Sequence, residues 1–174
     1  MSHATVASLS DVLGYRNAAV VAAFGRRFDV SPEQAELLFD DTLRWLWLCG
    51  KLRATLRQGI ADAPCSSLAI TPSMKLIDEM WHTFLLFSAD YRQFCDAYVG
   101  GFVDHLPEAP APATPTPATD STVRDRIEGQ LEYVHDELGE AVLRRWYVEY
   151  ADLHTLEHVD RIHRSLAAQE ALRR

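Results

Sequence analysis

The hydrophobic residues of the chain recur at helical spacing along most of its length. A first stripe contains Leu38, Trp45, Cys49, Leu52 and Leu56. A second stripe contains Tyr91, Phe94, Cys95, Tyr98 and Val99, at the i, i+3, i+4, i+7 and i+8 positions of one helix face. The sequence has no alternating run of useful length and no Asn-Gly or Asp-Gly hairpin turn. The pattern predicts an all-α protein.

Capping residues indicate where the helices begin and end. Ser31-Pro32 combines an N-cap serine with a proline at the first helical position, and Gly59 is a suitable stop. Thr71-Pro72 repeats the start signal, and Ser88 is predicted to cap the helix that carries the second stripe. Gly100-Gly101 should end that helix. We therefore expect a bundle of about five helices up to residue 106.

A proline-rich stretch predicts the domain organisation. Five of the eight prolines lie between Pro107 and Asp120, interleaved with alanine and threonine, which is typical of an extended connector. The prediction is a helical core domain over residues 1–106, a linker over 107–120 and a C-terminal segment of two or three helices over 121–174. Because 54 residues alone bury too little apolar surface for comfortable stability, this segment should dock on the core.

Composition narrows the class of protein and its partners. A chain of 174 residues with 48% hydrophobic and 24% charged residues is globular rather than disordered. The net charge is −8, and the tight basic pairs, which we expect at helix ends or on solvated faces, are Arg26/Arg27, Arg144/Arg145 and Arg173/Arg174. Such a distribution argues against a nucleic-acid partner, since phosphate binding needs clustered cations.

The cysteines and the apolar runs bear on localisation. Cys49, Cys65 and Cys95 are odd in number and form no C-x-x-C motif, which favours a reducing compartment. The strongest apolar run, Trp45–Cys49, is far shorter than the ~20 residues that a membrane span needs. Residues 1–10 lack the pattern of a secretory signal. We therefore predict a cytoplasmic protein without a membrane partner.

The residues with the most chemical information lie between Thr71 and Pro107. Asp78 and His82 stand at i and i+4, so they are neighbours on one helix face, and His105 follows the Gly100-Gly101 break and could fold back toward them. One aspartate and two histidines form the facial triad that holds non-haem iron, and the same set binds zinc with water in the fourth position. The predicted metal ligands are Asp78, His82 and His105, for iron or zinc.

Structural alternatives account for the same residues. Lys75, Asp78, Glu79, His82 and Thr83 form one polar arc of the helix. Asp78 and His82 could therefore be a solvated ion pair, or a buried hydrogen-bonded pair that positions the helix. Cys95 lies within an aromatic stripe, which favours a buried inert thiol over a ligand. A second histidine pair, His154 and His158, is interpreted as an exposed polar face because no third ligand is near it in sequence.

The segment resembles the helical domain of the family called glycine-rich domain-containing protein-like, in particular its short bacterial members. That family carries a D-x-M-W-H-T-H kernel, then a tyrosine and a cysteine, then a glycine and a histidine. The matching residues here are Asp78, Met80, Trp81, His82, Thr83, Tyr91, Cys95, Gly101 and His105. The sequence departs from the pattern at Phe84, where many plant members have a second histidine, and it lacks the glycine-rich tail. If that histidine is a ligand in the family, this site is one ligand short.

Two functional hypotheses follow. In the first, the protein is a metal-binding domain that could also have metal-dependent enzymatic activity on a small molecule or a peptide. The residues that would support the ligands are Trp81, Tyr91, Cys95 and Gly101. In the second, the protein is a non-catalytic interaction or scaffold module without a cofactor, and the same residues form a structural kernel. Its partner would then be a protein or a small molecule.

Overall fold

The computed structural model describes residues 5–59, 65, 67–106, 117–153 and 158–163, with the backbone alone for 117–123. These residues form helices and no strand, so the predicted all-α class is confirmed for this part of the chain. The five α-helices before residue 106 are α1 (Leu9–Val12), α2 (Ala18–Gly25), α3 (Pro32–Arg57), α4 (Lys75–Leu86) and α5 (Ser88–Phe94). A 3₁₀ turn, Pro72–Met74, leads into α4, and a π-helical turn, Cys95–Val99, extends α5.

Helix α3 is the central element of the bundle. Its start is the predicted one: Gln34 N–H donates to the Ser31 hydroxyl, and Ser31 N–H donates to the Gln34 side chain in return. Gly59, at φ +66°, lies just beyond its end. Its buried residues include Leu43, Leu46, Trp47 and Leu48, which point in different directions from the axis. Helix α3 is therefore buried on nearly all sides rather than along one stripe.

The C-terminal residues dock on α3, as predicted. They form α6 (Pro117–Leu138), α7 (Glu140–Arg144), a π-helical turn (Arg145–Glu149) and α8 (Tyr150–Leu153), and residues 158–163 are also helical. Trp146 packs edge-on against Trp45 of α3, with both rings buried. The guanidinium of Arg145 forms a bidentate ion pair with the buried Asp41 carboxylate, at 2.8 and 2.6 Å.

Arg144 and Arg145 were predicted to lie at a helix end or on a solvated face, and they lie at the end of α7. The Arg145 side chain is nevertheless only 19% exposed, because it is held by Asp41. Arg44 and the hydroxyl of Tyr150 donate to the same carboxylate. The Arg144 side chain, by contrast, is 70% exposed.

Two element boundaries differ from the predicted ones. Ser88 is the first residue of α5 rather than its cap, and Phe87 precedes it without a capping side chain. Helix α6 begins at Pro117, so the last four residues of the predicted linker 107–120 are helical, because proline is tolerated in a first helical turn. Residues 107–116 lie outside the described residues. Among the helices described, none is long and apolar enough to cross a membrane.

Candidate metal centre

Helix α4 carries two of the three predicted ligands on its polar arc. Asp78 and His82 are one turn apart, and Nδ1 of His82 lies 3.9 Å from Oδ2 of Asp78. The Asp78 side chain is 13% exposed and the His82 side chain 41% exposed. The arc therefore lies at the edge of the core, with its carboxylate largely covered and its imidazole open to solvent.

His105 returns to this arc from beyond the Gly100-Gly101 turn. Its Nε2 atom lies 2.8 Å from Oδ1 of Asp78. An ionised carboxylate only accepts hydrogen bonds, so Nε2 carries the hydrogen and donates. The His105 ring also packs against the rings of Trp81 and His82, at centroid distances of 4.2 and 4.4 Å.

The three predicted ligands thus form one cluster, and one ligand atom from each lies within 4.8 Å of the others. Two nitrogen ligands of a tetrahedral zinc ion lie about 3.4 Å apart, given Zn–N bonds of about 2.1 Å. The donor set would therefore fit an ion after its side chains move together by up to about 1.4 Å. Among the residues that the structure describes, no second group of three such side chains meets this criterion.

Trp81 and Tyr91, both predicted as supporting residues, hold the chain that carries His105. The Tyr91 hydroxyl donates to the carbonyl of Val103 at 2.7 Å and accepts from the indole N–H of Trp81 at 3.0 Å. Tyr91 is fully buried, and burial raises the pKa of its hydroxyl above the ordinary value. The neutral hydroxyl thus fixes the backbone two residues before His105.

Arg53 of α3 holds the other end of the same connection. Its guanidinium donates to the carbonyls of Val99, Gly101 and Phe102. Gly101 has a φ of +119°, which side-chain-bearing residues rarely adopt, and its N–H donates to the Cys95 carbonyl at 3.1 Å. Gly101 therefore makes the sharp turn after the π-helical segment, and Arg53 is a supporting residue that sequence reasoning missed.

Cys95 takes no part in the cluster. Its side chain is fully buried, and burial raises the pKa of its thiol. Since a thiolate is the form that binds metals and reacts, a neutral buried thiol fits the prediction of an inert core cysteine.

Two charged side chains that were predicted only as members of the polar arc, Lys75 and Glu79, lie beside the ligands. Lys75 contacts Asp78 at 2.8 Å and Glu79 at 3.0 Å. Burial alone would raise the pKa of the Asp78 carboxyl, but the hydrogen bonds from Lys75 and His105 outweigh it and lower that pKa. Asp78 is therefore ionised at neutral pH despite its burial.

A residue that follows α2 also contacts the polar arc of α4. Arg27, just beyond the end of α2, lies 3.4 Å from the carboxylate of Glu79 and donates to the Thr83 hydroxyl at 3.1 Å. Glu79 also lies 3.7 Å from Nδ1 of His82. Arg27 was predicted as a helix-end or solvated residue, and it is a helix-end residue that also binds the polar arc. In the sequence, the polar arc already indicated that Lys75 and Glu79 lie near the predicted ligands, whereas no local sequence pattern indicated a contact from Arg27.

Position 84, where the resembled family often has its second histidine, lies in the core of this protein. Phe84, where many members of the resembled family have histidine, is fully buried against Tyr91, Phe94 and Phe39. Position 84 therefore faces the core, and phenylalanine there removes no ligand from the Asp78–His82–His105 cluster. Of the second histidine pair, His154 lies outside the described residues and His158 contacts Arg161.

The middle of the chain is similar to a known protein family. A family described as UCP032817-like matches residues 50–127, a range that includes α4, α5 and all three residues of the cluster. No curated protein and no solved structure matches the chain. The description of the family names no activity, and it does not bear on the resemblance to the glycine-rich domain-containing protein-like family. Over residues 50–127, this chain is similar to the UCP032817-like family.

Proposed function

We propose that the protein binds a transition metal ion, iron or zinc, through Asp78, His82 and His105. One observation carries the proposal: three donor atoms of the right chemistry, from two separate elements, lie within 4.8 Å of one another. Asp78 and His82 are local neighbours in any helix, but His105 is 27 positions from Asp78 and reaches it through a dedicated turn. Two imidazoles and one carboxylate suit both ferrous iron and zinc.

We further propose that the bound metal supports an enzymatic activity on a small molecule or a peptide. Three protein ligands leave coordination positions for substrate or water, and the 41% exposure of the His82 side chain supports an approach from solvent at that position. A bound ion would supply Lewis acidity or, for iron, redox chemistry at these positions. For Asp78 and His105 to share an ion, Nε2 of His105 would give up the hydrogen that it donates to Oδ1 of Asp78, so the ion would take the place of that hydrogen bond.

Metal analysis of protein purified without a histidine tag tests the proposal. We expect about one equivalent of iron or zinc, either as purified or after incubation with ZnCl₂ or anaerobic ferrous sulfate and desalting. The variants His82→Ala and His105→Ala should lose it. His135→Ala is the matched control, because His135 is 55% exposed and lies outside the cluster. Folded wild-type protein that retains no metal under either condition would overturn the proposal.

A second candidate function is a non-catalytic interaction or scaffold module in which the cluster is structural. The observation in its favour is that Asp78 already has two partners, Lys75 and His105, each at 2.8 Å. In this case Asp78→Asn and His105→Gln would lower the melting temperature of metal-free protein, and neither ZnCl₂ nor ferrous iron would raise it in the wild type. The partner would be a protein or a small molecule.

Kinship with the glycine-rich domain-containing protein-like family remains a proposal. It is supported by the residues that the two share, and the contacts among Trp81, Tyr91 and His105 give several of them a common physical role. A profile of that family aligned with relatives of this chain would test it. Loss of Asp78, His82 or His105 among close relatives would contradict it.

A further inference from the structure

The side-chain ammonium of Lys75 already forms ion pairs with the two carboxylates of the polar arc. The ammonium of Lys75 lies 2.8 Å from Oδ2 of Asp78 and 3.0 Å from Oε1 of Glu79, so it bridges the two carboxylates. The same Asp78 oxygen is the one that faces Nδ1 of His82, at 3.9 Å. Lys75 therefore lies where an ion shared by Asp78 and His82 would experience its charge most strongly.

We infer that Lys75 is a competing cation that restricts metal binding at the Asp78–His82–His105 cluster. The inference rests on the proposed metal site and concerns how readily that site fills. An ion that takes a lone pair of Asp78 must either displace the Lys75 ammonium or bind beside it. Displacement breaks two ion pairs, and binding beside it places two cations next to each other, so either route weakens affinity.

Arg27, which contacts the polar arc from beyond the end of α2, is less suited to this role. Its guanidinium contacts Glu79 at 3.4 Å and Thr83 at 3.1 Å, and neither residue is one of the three ligands. Of these two cations, only Lys75 contacts one of the three ligands, Asp78. Its ammonium is on a flexible side chain that can move aside without moving the backbone. The geometry therefore assigns the competing role to Lys75.

The chain offers a matched control, because it contains only two lysines. Lys51 is also paired with a carboxylate, that of Glu137, but lies outside the cluster. Lys75→Gln and Lys51→Gln change the net charge by the same amount, so only a local effect separates them. Lys75→Arg keeps the positive charge at the site. Dissociation constants for Zn²⁺ are measured on the full chain by competition with a chromophoric chelator.

We expect Lys75→Gln to bind Zn²⁺ about tenfold more tightly than the wild type, the effect of removing one unit charge at contact distance in a partly solvated site. Lys51→Gln and Lys75→Arg should remain within about threefold of the wild type. If the wild type binds Zn²⁺ and Lys75→Gln does not gain affinity, or if Lys75→Arg gains as much, the inference is overturned while the metal site stands. If no form binds Zn²⁺ or, in an anaerobic repeat of the titration, Fe²⁺, both the inference and the proposed function are wrong.

A second measurement needs no variant. Brief labelling of the wild type with an amine-acylating reagent, followed by mass spectrometry, compares Lys75 with Lys51 in the same sample. Zn²⁺ that displaces Lys75 from the carboxylates should increase its labelling relative to Lys51 by a factor of two or more. An unchanged or decreased ratio at saturating Zn²⁺, together with no gain of affinity in Lys75→Gln, would exclude both routes and overturn the inference.

Discussion

The imidazole of His105 donates a hydrogen bond to the carboxylate of Asp78 at 2.8 Å, across 27 positions of sequence. Asp78 is on the polar arc of α4, whereas His105 lies on a short connection without regular secondary structure. Two anchors hold that connection: the buried Tyr91 hydroxyl on Val103 and the half-buried Arg53 guanidinium on the turn before it. The contact between Asp78 and His105 is thus a product of the packing around it.

Replacement of Tyr91 by phenylalanine tests this dependence. The variant removes one hydroxyl and leaves the indole N–H of Trp81 and the carbonyl of Val103 without their partner. We expect the free energy of unfolding to fall by about 1–3 kcal/mol and the affinity for Zn²⁺ to fall with it, because His105 loses its support. Urea denaturation and chelator competition measure the two effects.

Tyr98→Phe is the control for that experiment. Tyr98 lies on the π-helical turn after α5, and its hydroxyl forms no hydrogen bond with the residues that the structure describes. It should change the free energy of unfolding by less than about 0.5 kcal/mol. Equal effects of the two variants would contradict a specific role for the Tyr91 hydroxyl.

The two adjacent arginines at the end of α7 should differ sharply in their contribution to stability. Arg145→Ala removes the bidentate partner of the buried Asp41 carboxylate, and we expect a loss of about 2–3 kcal/mol, because Arg44 and Tyr150 still contact that carboxylate. Arg144→Ala removes only an exposed ion pair with Glu149, worth less than about 1 kcal/mol. Chemical denaturation of both variants checks the difference, and equal losses would show that the ion pair with Asp41 does not hold the C-terminal helices.

A glycine of α3 allows its close approach to the turn after α5. A Cβ atom at Gly50 would lie 2.6 Å from both the backbone oxygen and the Cγ1 atom of Val99. Because a backbone atom is involved, Gly50→Ala should cost about 1–3 kcal/mol despite the better helix propensity of alanine. Gly25→Ala in α2 is the control, since nothing lies within 4 Å of a Cβ there. Thermal unfolding that shows a stabilised Gly50→Ala variant would contradict this packing.

The burial of Cys95 predicts its reactivity toward alkylating reagents. Burial raises the pKa of this thiol, so at pH 8 a smaller fraction is thiolate than in an exposed cysteine. We expect iodoacetamide to modify Cys95 in the native protein more than about 100-fold more slowly than in urea-unfolded protein. Peptide mass spectrometry follows the modification, and rapid native labelling would argue that the core around Tyr91 and Cys95 opens readily.

Much of the fold could be predicted from local patterns. The start of α3 at Ser31-Pro32 is confirmed, because the cap that Ser31 forms with Gln34 lies within one helical turn. The proximity of Asp78 and His82 follows from helix geometry alone. The docking of the C-terminal helices was predicted from the small size of that segment, but its contact between Arg145 and Asp41 was not.

What the sequence by itself determined is therefore the set of helices and the residues that share a turn, including the pair Asp78 and His82. Only the tertiary structure decided that His105 joins them, that Arg27 reaches Glu79 and that Gly50 faces Val99. The physical reason is one of range. Caps and i, i+4 pairs depend on backbone geometry within a turn, whereas these contacts depend on how separate helices bury their apolar faces against α3, which no local spacing specifies.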